Sequence, residues 1–382
     1  MGYRLRIFTP RNQIILRRKQ GLTAIAVALL AALLLSSCGT GADSGAGADA
    51  GSESSLVAGA GSTAQQVAQE SLIEEFELET PHAKVSYEPL GSAAGRRRFV
   101  AGDVAYAASD TPLEGAELRQ AVARCKPGQL VEVPAYLSKV FVAAHVGNVY
   151  FVELTPETLA RIFDGEITSW SDPEIHRANP LIAKKLNGPI SVIYLAGESG
   201  TTANFTEYLT EAVPSIWRQG PSETWPLPSV GRAVGSEPEM LKAIKAREGT
   251  IAFIDASHSG LLKPVLIKTG SNPGEVAVPD HGSAIAVLES SPEAKALKKS
   301  PYMMPFDLKR GYGKTGTYPI VLVSYLLACT AYDSEAEAAA VRKWLAYAVS
   351  APGQKEAALE AGSDPLTGEL QKRAEAAVRA IE

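Results

Sequence analysis

Histidine and cysteine are scarce in this chain of 382 residues, which has five of the former and three of the latter. No two histidines stand at the His-x-x-x-His spacing that puts two metal ligands on one helical face. The pattern therefore argues against a metal centre, and we expect no cofactor. The histidines are His82, His145, His176, His258 and His281.

Catalytic motifs are also lacking. The nearest approach is Gly197-Glu198-Ser199-Gly200-Thr201, which departs from the hydrolase pattern Gly-x-Ser-x-Gly in its last residue. A serine nucleophile needs a base beside it, and no histidine is assigned to this one. Ser199 is therefore better explained as a hydrogen-bond donor to a ligand, and a phosphatase or other enzyme is not expected.

Long apolar runs are absent except for residues 21–35, which follow six basic residues and no acidic one. Fifteen residues are too few for a confident membrane span and are typical of a signal-peptide core. The following Leu35-Ser36-Ser37-Cys38 resembles the lipobox of bacterial lipoproteins, in which the cysteine is lipidated. Residues 1–37 are predicted to be a lipoprotein signal peptide, with an ordinary signal peptide and a chance Cys38 as the alternative.

Residues 38–55 contain almost nothing that could form a core, because after the cysteine they consist of glycine, alanine, serine, threonine and acidic residues. Such a composition predicts a flexible tether. We therefore expect an exported, soluble body held by a lipid at the outer face of the cell membrane.

Positive charge is in deficit beyond residue 37, where 31 basic and 42 acidic residues leave a net charge of −11. A body this acidic lacks the electrostatic footprint of a nucleic-acid-binding protein. It also repels free anions at long range, so any anion site must rely on local donors.

Two cysteines remain, Cys125 and Cys329. In an oxidising compartment they predict one disulfide that closes a loop of about 200 residues. Two buried free thiols are the alternative.

Short apolar strands alternate with helical segments along the body, which predicts an α/β fold with a parallel sheet covered by helices. Strands are expected at 56–58, 85–87, 104–108, 140–144 and 190–195. Helices are expected at 65–76, from Arg96, at 155–162 with Thr155 as N-cap, and over most of 334–382 with a break at Pro352-Gly353.

Three turns between a strand and a helix share small and hydroxyl residues. The first amides of a helix have no internal partner and lie at the positive end of its dipole, so such turns suit a tetrahedral anion. Each turn taken alone is equally well explained by ordinary N-capping. The turns are Gly61-Ser62-Thr63-Ala64, Gly91-Ser92-Ala93-Ala94-Gly95 and Glu198-Ser199-Gly200-Thr201-Thr202.

Asp110 follows the third predicted strand, where a carboxylate would repel an anion unless that anion carries a proton to donate. Hydrogen phosphate carries one and sulfate near neutral pH does not, so a buried acceptor would reject sulfate. The alternative is that Asp110 caps a helix over residues 113–123.

The motifs together resemble the phosphate-binding proteins of bacterial phosphate-specific ABC transporters, in their actinobacterial lipoprotein form. They run in family order from residue 57 to about residue 370. The matching segments are Gly59-Ala60-Gly61-Ser62-Thr63, Gly91-Ser92-x-x-Gly95, Ala108-Ser109-Asp110-x-Pro112-Leu113, Leu159-x-x-Ile162-Phe163-x-Gly165-x-Ile167-x-x-Trp170, Ser199-Gly200-Thr201-Thr202-x-Asn204-Phe205, Trp225-Pro226 and Tyr318-Pro319-Ile320.

This resemblance implies a two-lobed, type II periplasmic-binding-protein-like fold with a ligand cleft between lobes joined by two crossover strands. Residues 56–136 plus 319–382 would form lobe I, and residues 137–318 would form lobe II, with crossings near 135–139 and 314–319. The implied ligand is inorganic phosphate, the implied partners are the permease and ATPase subunits of an ABC importer, and the protein would be a monomer. The implied ligand contacts are Thr63, Ala64, Ser92, Asp110, Ser199, Gly200 and Thr201.

The sequence departs from the family at Leu195 and Gly197, where the family usually has an arginine and the acid that pairs with it. Loss of one arginine contact would weaken phosphate binding roughly ten- to a hundredfold. Arg96 or Arg97 could compensate, although both also suit a solvated helix face. A divergent paralogue with altered oxyanion specificity, or a non-transport surface or sensing role, stays an alternative.

Overall fold

The computed structural model describes residues 56–270, 272, 274–280, 282–310 and 317–382. Ser52–Glu382 forms one compact unit. The predicted signal peptide, the tether and Cys38 lie outside the described residues, as does part of the second predicted crossing. Over the described ranges, no helix has both the length and the apolar character needed to cross a bilayer.

One mixed sheet runs through the unit, with strand order β2-β1-β3-β11-β4-β8-β6-β7. The parallel pairs β1–β2, β1–β3, β6–β7 and β6–β8 lie at its two ends, and β11 and β4 form an antiparallel pair in its middle. The strands are β1 (Leu56–Gly61), β2 (Lys84–Pro89), β3 (Tyr106–Ser109), β4 (Leu130–His145), β5 (Glu153–Leu154), β6 (Ser191–Leu195), β7 (Arg232–Val234), β8 (Thr250–Asp255), β9 (Leu266–Lys268), β10 (Val276–Ala277), β11 (Val321–Cys329) and β12 (Asp364–Pro365).

Helices follow most strands and cover the sheet, which confirms the α/β class. The predicted break near Pro352 is a change of helix at Ser350, whose hydroxyl caps the second helix through Gly353 N–H. The helices are α1 (Gln66–Glu79), α2 (Ser92–Ala101), α3 (Gly115–Arg124), α4 (Pro156–Phe163), α5 (Pro173–Ala178), α6 (Gly200–Ala212), α7 (Glu237–Ala246), α8 (Ala256–Ser259), α9 (Ile285–Glu289), α10 (Glu335–Val349), α11 (Ala351–Ala361) and α12 (Gly368–Arg379).

Helix starts follow local chemistry. Thr155 caps α4 as predicted, since its hydroxyl accepts the Thr158 amide at 3.1 Å. Two predictions were wrong. Helix α2 begins at Ser92, four residues before Arg96, because Gly91 takes a backbone φ of +96° that suits glycine and lets the chain turn directly into the helix. Asp110 does not cap α3, which begins at Gly115 after Glu114.

Strand β4 joins the two halves of the sheet. The first half contains β1, β2, β3 and β11, and the second contains β6, β7 and β8. The first part of β4 pairs with β11 and its last part, Val140–His145, pairs with β8. The strand is buried along nearly all of its 16 residues, including the polar side chains of Glu132, Ser138 and Lys139. This strand corresponds to the first predicted crossing.

The predicted lobe boundaries stay a prediction. They assign Met303 to lobe II, residues 137–318. Met303 bridges to Glu132 of β4 and packs in an apolar cluster with Phe99 and Leu113 from the first half. Residues before 319 therefore already contact the first half of the sheet and its helices.

Cys125 and Cys329 form a disulfide, as the first of the two alternatives predicted. The bond links the end of α3 to the end of β11, and both sulfur-bearing residues are buried. The tryptophans are all buried as core residues, with Trp225 stacked on Tyr194 and Trp344 edge-on to Phe76.

Candidate anion-binding site

Asp110 lies at the carboxyl end of β3 with only 3% of its surface exposed. Its Oδ1 accepts a hydrogen bond from Gln65 Nε2 at 3.1 Å, and its Oδ2 accepts a very short one from the Ser62 hydroxyl. The Ser92 hydroxyl lies 3.5 Å from Oδ2 and accepts the Asp110 amide at 3.1 Å. The first two predicted turns and the acid therefore meet at one edge of the sheet.

Burial raises the pKa of Asp110 to about 7, against the lowering effect of the Ser62 and Gln65 hydrogen bonds. Desolvation disfavours the charged carboxylate more strongly than these donors favour it. Near neutral pH the carboxyl group is therefore ionised in part of the molecules, and the ionised form is the one that accepts a hydrogen bond from a protonated oxyanion.

The third turn comes from the other half of the sheet and closes on Asp110. A Cβ at Gly200 would lie 2.5 Å from Ser92 Oγ and 2.7 Å from Asp110 Oδ2, so only glycine fits this approach. Asn204 of α6 donates to the Asp110 carbonyl oxygen at 2.9 Å, which fixes the helix over the acid. Ser92, Asp110 and Gly200 are thus in direct proximity, as predicted.

Ser199 and Thr201 begin α6. The Ser199 hydroxyl accepts the amides of Thr201 and Thr202 at 3.2 and 3.4 Å, so Ser199 is the N-cap of the helix. The Thr201 hydroxyl pairs with Glu237 Oε1 at 2.9 Å. The capping explanation therefore holds for Ser199. The N-terminal end of α6, where the helix dipole is positive, lies beside the Asp110 carboxyl group.

At the first turn, the hydroxyl that contacts Asp110 is that of Ser62, whereas the predicted ligand contact is Thr63. The Ser62 hydroxyl accepts the Ala64 and Gln65 amides at 3.0 and 3.3 Å while it donates to Asp110. Thr63 is partly exposed, and its carbonyl oxygen lies 3.0 Å from His258 Nε2. Ser62 belongs to the quoted motif, but nothing in that motif distinguishes its hydroxyl from that of Thr63.

Residues 43–352 match a family described as the PBP superfamily domain. PstS2, a phosphate-binding protein of Mycobacterium bovis (strain BCG / Pasteur 1173P2), is 31% identical over 373 residues, which are 93% of this chain and 98% of that protein. The phosphate-binding protein PstS of Methanocaldococcus jannaschii is 26% identical and covers 82% of each chain.

The chain belongs to the PstS family of phosphate-binding proteins.

Solved structures show the same fold. A high-affinity periplasmic phosphate-binding protein, PfluDING, matches with a TM-score of 0.69 at 21% identity, over 84% of this chain and 93% of that one. A phosphate-binding protein from Stenotrophomonas maltophilia matches with a TM-score of 0.63 at 19% identity, with the same coverage. The predicted type II binding-protein fold is confirmed.

The family arginine is replaced by a residue of the core. Leu195 ends β6 with 3% of its surface exposed, in an apolar cluster with Ile193 and Ile254. Gly197 has a φ of +82°, which glycine adopts easily and aspartate does not. The backbone here is therefore suited to the residues that this chain has.

Arg96 and Arg97 both connect the two halves of the sheet. Arg96 is buried; it donates to Glu223 at 2.8 and 2.9 Å and to Glu117 at 2.6 Å. Arg97 is half exposed and pairs with Glu198 at 2.7 Å. Arg96 also reaches Ser109 Oγ, next to Asp110, at 3.1 Å. Compensation by either arginine stays a prediction, and the carboxylates already neutralise much of both charges.

Two further buried acids were missed. Glu237 and Asp255 are both fully buried, and the Asp255 carboxylate raises the pKa of both Asp110 and Glu237. In the sequence, Ser236-Glu237-Pro238 indicates an ordinary helix start, and Asp255 likewise precedes a short helix. Only the tertiary fold brings them beside Asp110 and Thr201. Within the described ranges, no group of three or more His, Cys, Asp and Glu residues is placed to hold a metal ion.

Proposed function

We propose that this protein captures inorganic phosphate outside the cytoplasm and delivers it to an ABC importer. The observation that carries the proposal is Asp110, a buried carboxyl group surrounded by the hydroxyls of Ser62 and Ser92 and facing the N-terminus of α6. The names of its relatives, which are phosphate-binding proteins, support the same ligand.

The selectivity for phosphate over sulfate depends on whether the anion carries a proton that it can donate to Asp110. Hydrogen phosphate donates its hydroxyl proton to the Asp110 carboxylate and accepts hydrogen bonds from the surrounding hydroxyl and amide groups. Sulfate near neutral pH has no proton, so it would leave a buried acceptor unpaired against an anion. We infer that the ligand contacts are Thr63, Ala64, Ser92, Asp110, Ser199, Gly200 and Thr201, while the Ser62 hydroxyl, which donates its proton to Asp110, holds the acid in place.

Binding in this site relies on neutral donors. Leu195 lies in the core and Arg96 is already paired, so hydroxyls, amides and the α6 dipole supply the attraction. We therefore expect phosphate to bind about ten- to a hundredfold more weakly than it would with one additional charged hydrogen bond.

The proposal places the protein at the outer face of the cell membrane, held by a lipid on Cys38. It acts as a monomer, has no catalytic role, and delivers phosphate to the permease and ATPase subunits of the importer. Replacement of Cys38 by serine should move the protein from the membrane fraction to the soluble fraction, whereas an unchanged distribution would contradict the lipid anchor.

Calorimetric titration tests the ligand. Residues 39–382, which include the whole compact unit, are titrated with phosphate and with sulfate near pH 7. Saturable binding of phosphate without a sulfate signal is expected. A Ser92→Ala variant should bind phosphate at least about tenfold more weakly, because it loses a donor in a buried site.

Absence of phosphate binding would contradict the proposal. Binding of a different oxyanion in its place would instead support the divergent-paralogue alternative, in which the replacement of the arginine marks a changed ligand.

A further inference from the structure

Glu237 stands at the first position of α7 and is fully buried beside the proposed phosphate site. Its Oε1 lies 2.9 Å from the Thr201 hydroxyl oxygen. Its Oε2 makes no hydrogen bond to any part of the chain that the structure describes. The imidazole of His258 lies beside it, with Nε2 3.5 Å from Oε2 and only 3.0 Å from the Thr63 carbonyl oxygen.

The direction of the Thr201–Glu237 hydrogen bond decides what Thr201 can offer a ligand. A hydroxyl group has one proton, and an ionised carboxylate only accepts. When Glu237 is ionised, Thr201 must give its proton to Glu237 and turns lone pairs towards an oxyanion. When Glu237 is protonated, it donates to Thr201, and the Thr201 proton becomes available to the oxyanion.

The surroundings favour the protonated form. Burial, and next the neighbouring Asp255 carboxylate, raise the pKa of Glu237 well above its usual value, and Asp110 adds to the effect. These acids face Glu237 from the ends of β8 and β3, and His258 faces it from α8. The other ionisable groups on the strands packed against α7 are engaged elsewhere or exposed. They are Glu132 with the Leu113 amide, Tyr136 on the part of β4 that pairs with β11, Lys139 with Asp364, His145 with the Ile244 carbonyl oxygen, Tyr194 with the Pro228 carbonyl oxygen, and Arg232 in solvent.

We propose that Glu237 is a positioning residue for oxyanion binding, whose carboxyl proton turns the Thr201 hydroxyl towards the ligand. The inference rests on the proposed function, because it takes the ligand to be phosphate held at Thr201. Glu237 touches Thr201 and not the ligand, so it acts through the orientation of one donor.

Phosphate binding is therefore linked to the binding of a proton by Glu237. Only protein with protonated Glu237 presents the full donor set, so phosphate binding favours that form and affinity falls as pH rises through the pKa of Glu237. Above that pKa, each further pH unit costs up to about tenfold in affinity, in addition to the contributions of Asp110 and of phosphate itself.

Glu237→Gln separates this contribution from the others. The glutamine amide donates to Thr201 at every pH, so it reproduces the protonated carboxyl group. Glu239→Gln is the matched control, because Glu239 belongs to the same first turn but is exposed and binds the Gly235 amide. Phosphate affinity is measured by calorimetry from pH 5.5 to 8.5 on residues 39–382, in two buffers of different ionisation heat.

Wild type and Glu239→Gln should lose affinity with rising pH more steeply than Glu237→Gln and should take up more protons per phosphate. At pH values above the pKa of Glu237, Glu237→Gln should bind phosphate more tightly than wild type, by up to about tenfold for each pH unit above that pKa. The titration of phosphate itself is common to all three proteins and cancels in the comparison.

Equal pH slopes for wild type and Glu237→Gln would overturn the role of Glu237 and leave phosphate binding intact. Failure of wild type to bind phosphate even at pH 5.5 would overturn the proposed function and this inference together. If Glu237→Gln does not fold, Thr201→Val carries the test. Without the hydroxyl, affinity should be lower at pH 5.5 and the excess slope should vanish, whereas an unchanged slope would overturn the proposal.

Discussion

Asp110 combines a buried position with an assembled set of donors, so its chemistry can be tested by one isosteric change. Asp110→Asn replaces an acceptor by an amide that can donate. We expect phosphate affinity to fall at least about tenfold, because the proton on the ligand loses its acceptor, and we expect sulfate binding to rise. Calorimetric titration with both anions at pH 7 measures the change. A variant that still excludes sulfate would show that Asp110 does not set the selectivity.

Glu132 of β4 gives a pH-dependent contribution to stability away from the ligand. Its Oε1 accepts the Leu113 amide at 2.7 Å, and burial raises its pKa from 4.5 to about 7. A raised pKa means that the folded protein holds this proton more tightly than the unfolded chain, so stability is lost as pH rises from about 4.5 through about 7.

Glu132→Gln should remove that loss. Its free energy of unfolding should match that of wild type near pH 4 and exceed it by up to about 3 kcal/mol at pH 8.5. Urea unfolding at a series of pH values measures the difference, with exposed Glu114→Gln as the control. A constant difference between Glu132→Gln and wild type at all pH values would contradict the prediction.

The role of a residue could be predicted from the sequence only where that residue belongs to a recognisable local motif. Asp110, Ser92 and Gly200 stand in turns whose composition indicates donors and close approach, and the structure brings them together. Glu237 was not predictable, because a glutamate after Ser236 fits the first turn of any helix. Its position beside Thr201 depends on how the chain folds over a separation of 36 positions, from α6 to α7, and no local pattern encodes that arrangement.

Arg96 connects elements that belong to the two halves of the sheet. This side chain of α2 donates two hydrogen bonds to Glu223, which lies in the segment between α6 and β7. A two-pronged guanidinium–carboxylate contact at a largely buried site is among the stronger polar interactions in proteins. It therefore favours the closed arrangement in which α6 covers Asp110.

Glu223→Gln should weaken phosphate binding about tenfold without removing a ligand contact, because closure is less favourable. Glu198→Gln is the control: its partner Arg97 is half exposed, and an exposed pair contributes little. Phosphate titration, together with small-angle scattering of the phosphate-saturated protein, checks the prediction. Equal effects of the two substitutions would argue against a role for the buried pair in closure.

Elements were largely predictable because the apolar periodicity and the capping residues agree. The Thr155-Pro156 start of α4 and the strand ending at Leu195 lie where the pattern places them. The start of α2 was missed because Gly91 and Ser92 suggest a loop, whereas a positive φ at Gly91 lets the helix begin at once. The contact of Met303 with Glu132 was not predictable, because segments without regular periodicity do not reveal which half of the sheet they contact.

At the scale of the molecule, one covalent link joins positions 204 residues apart, Cys125 and Cys329. Closure of so long a loop restricts the unfolded chain, and loss of such a bond typically costs about 2–5 kcal/mol. The Cys125→Ala/Cys329→Ala variant should unfold at correspondingly lower urea concentration. Wild type in reducing buffer should approach the variant, while the variant itself should not respond to reductant. Equal midpoints for oxidised wild type and the variant would show that the bond does not contribute to stability.

Strand β4 serves both halves of the sheet, with β11 beside one part of it and β8 beside the other. A polypeptide divided at this strand would leave each fragment with an unpaired, apolar edge, and such edges associate with other chains. Neither half is therefore a separable module in the evolutionary sense. Recombination that exchanges one half of the sheet for another must carry this strand intact, so the two halves are inherited together.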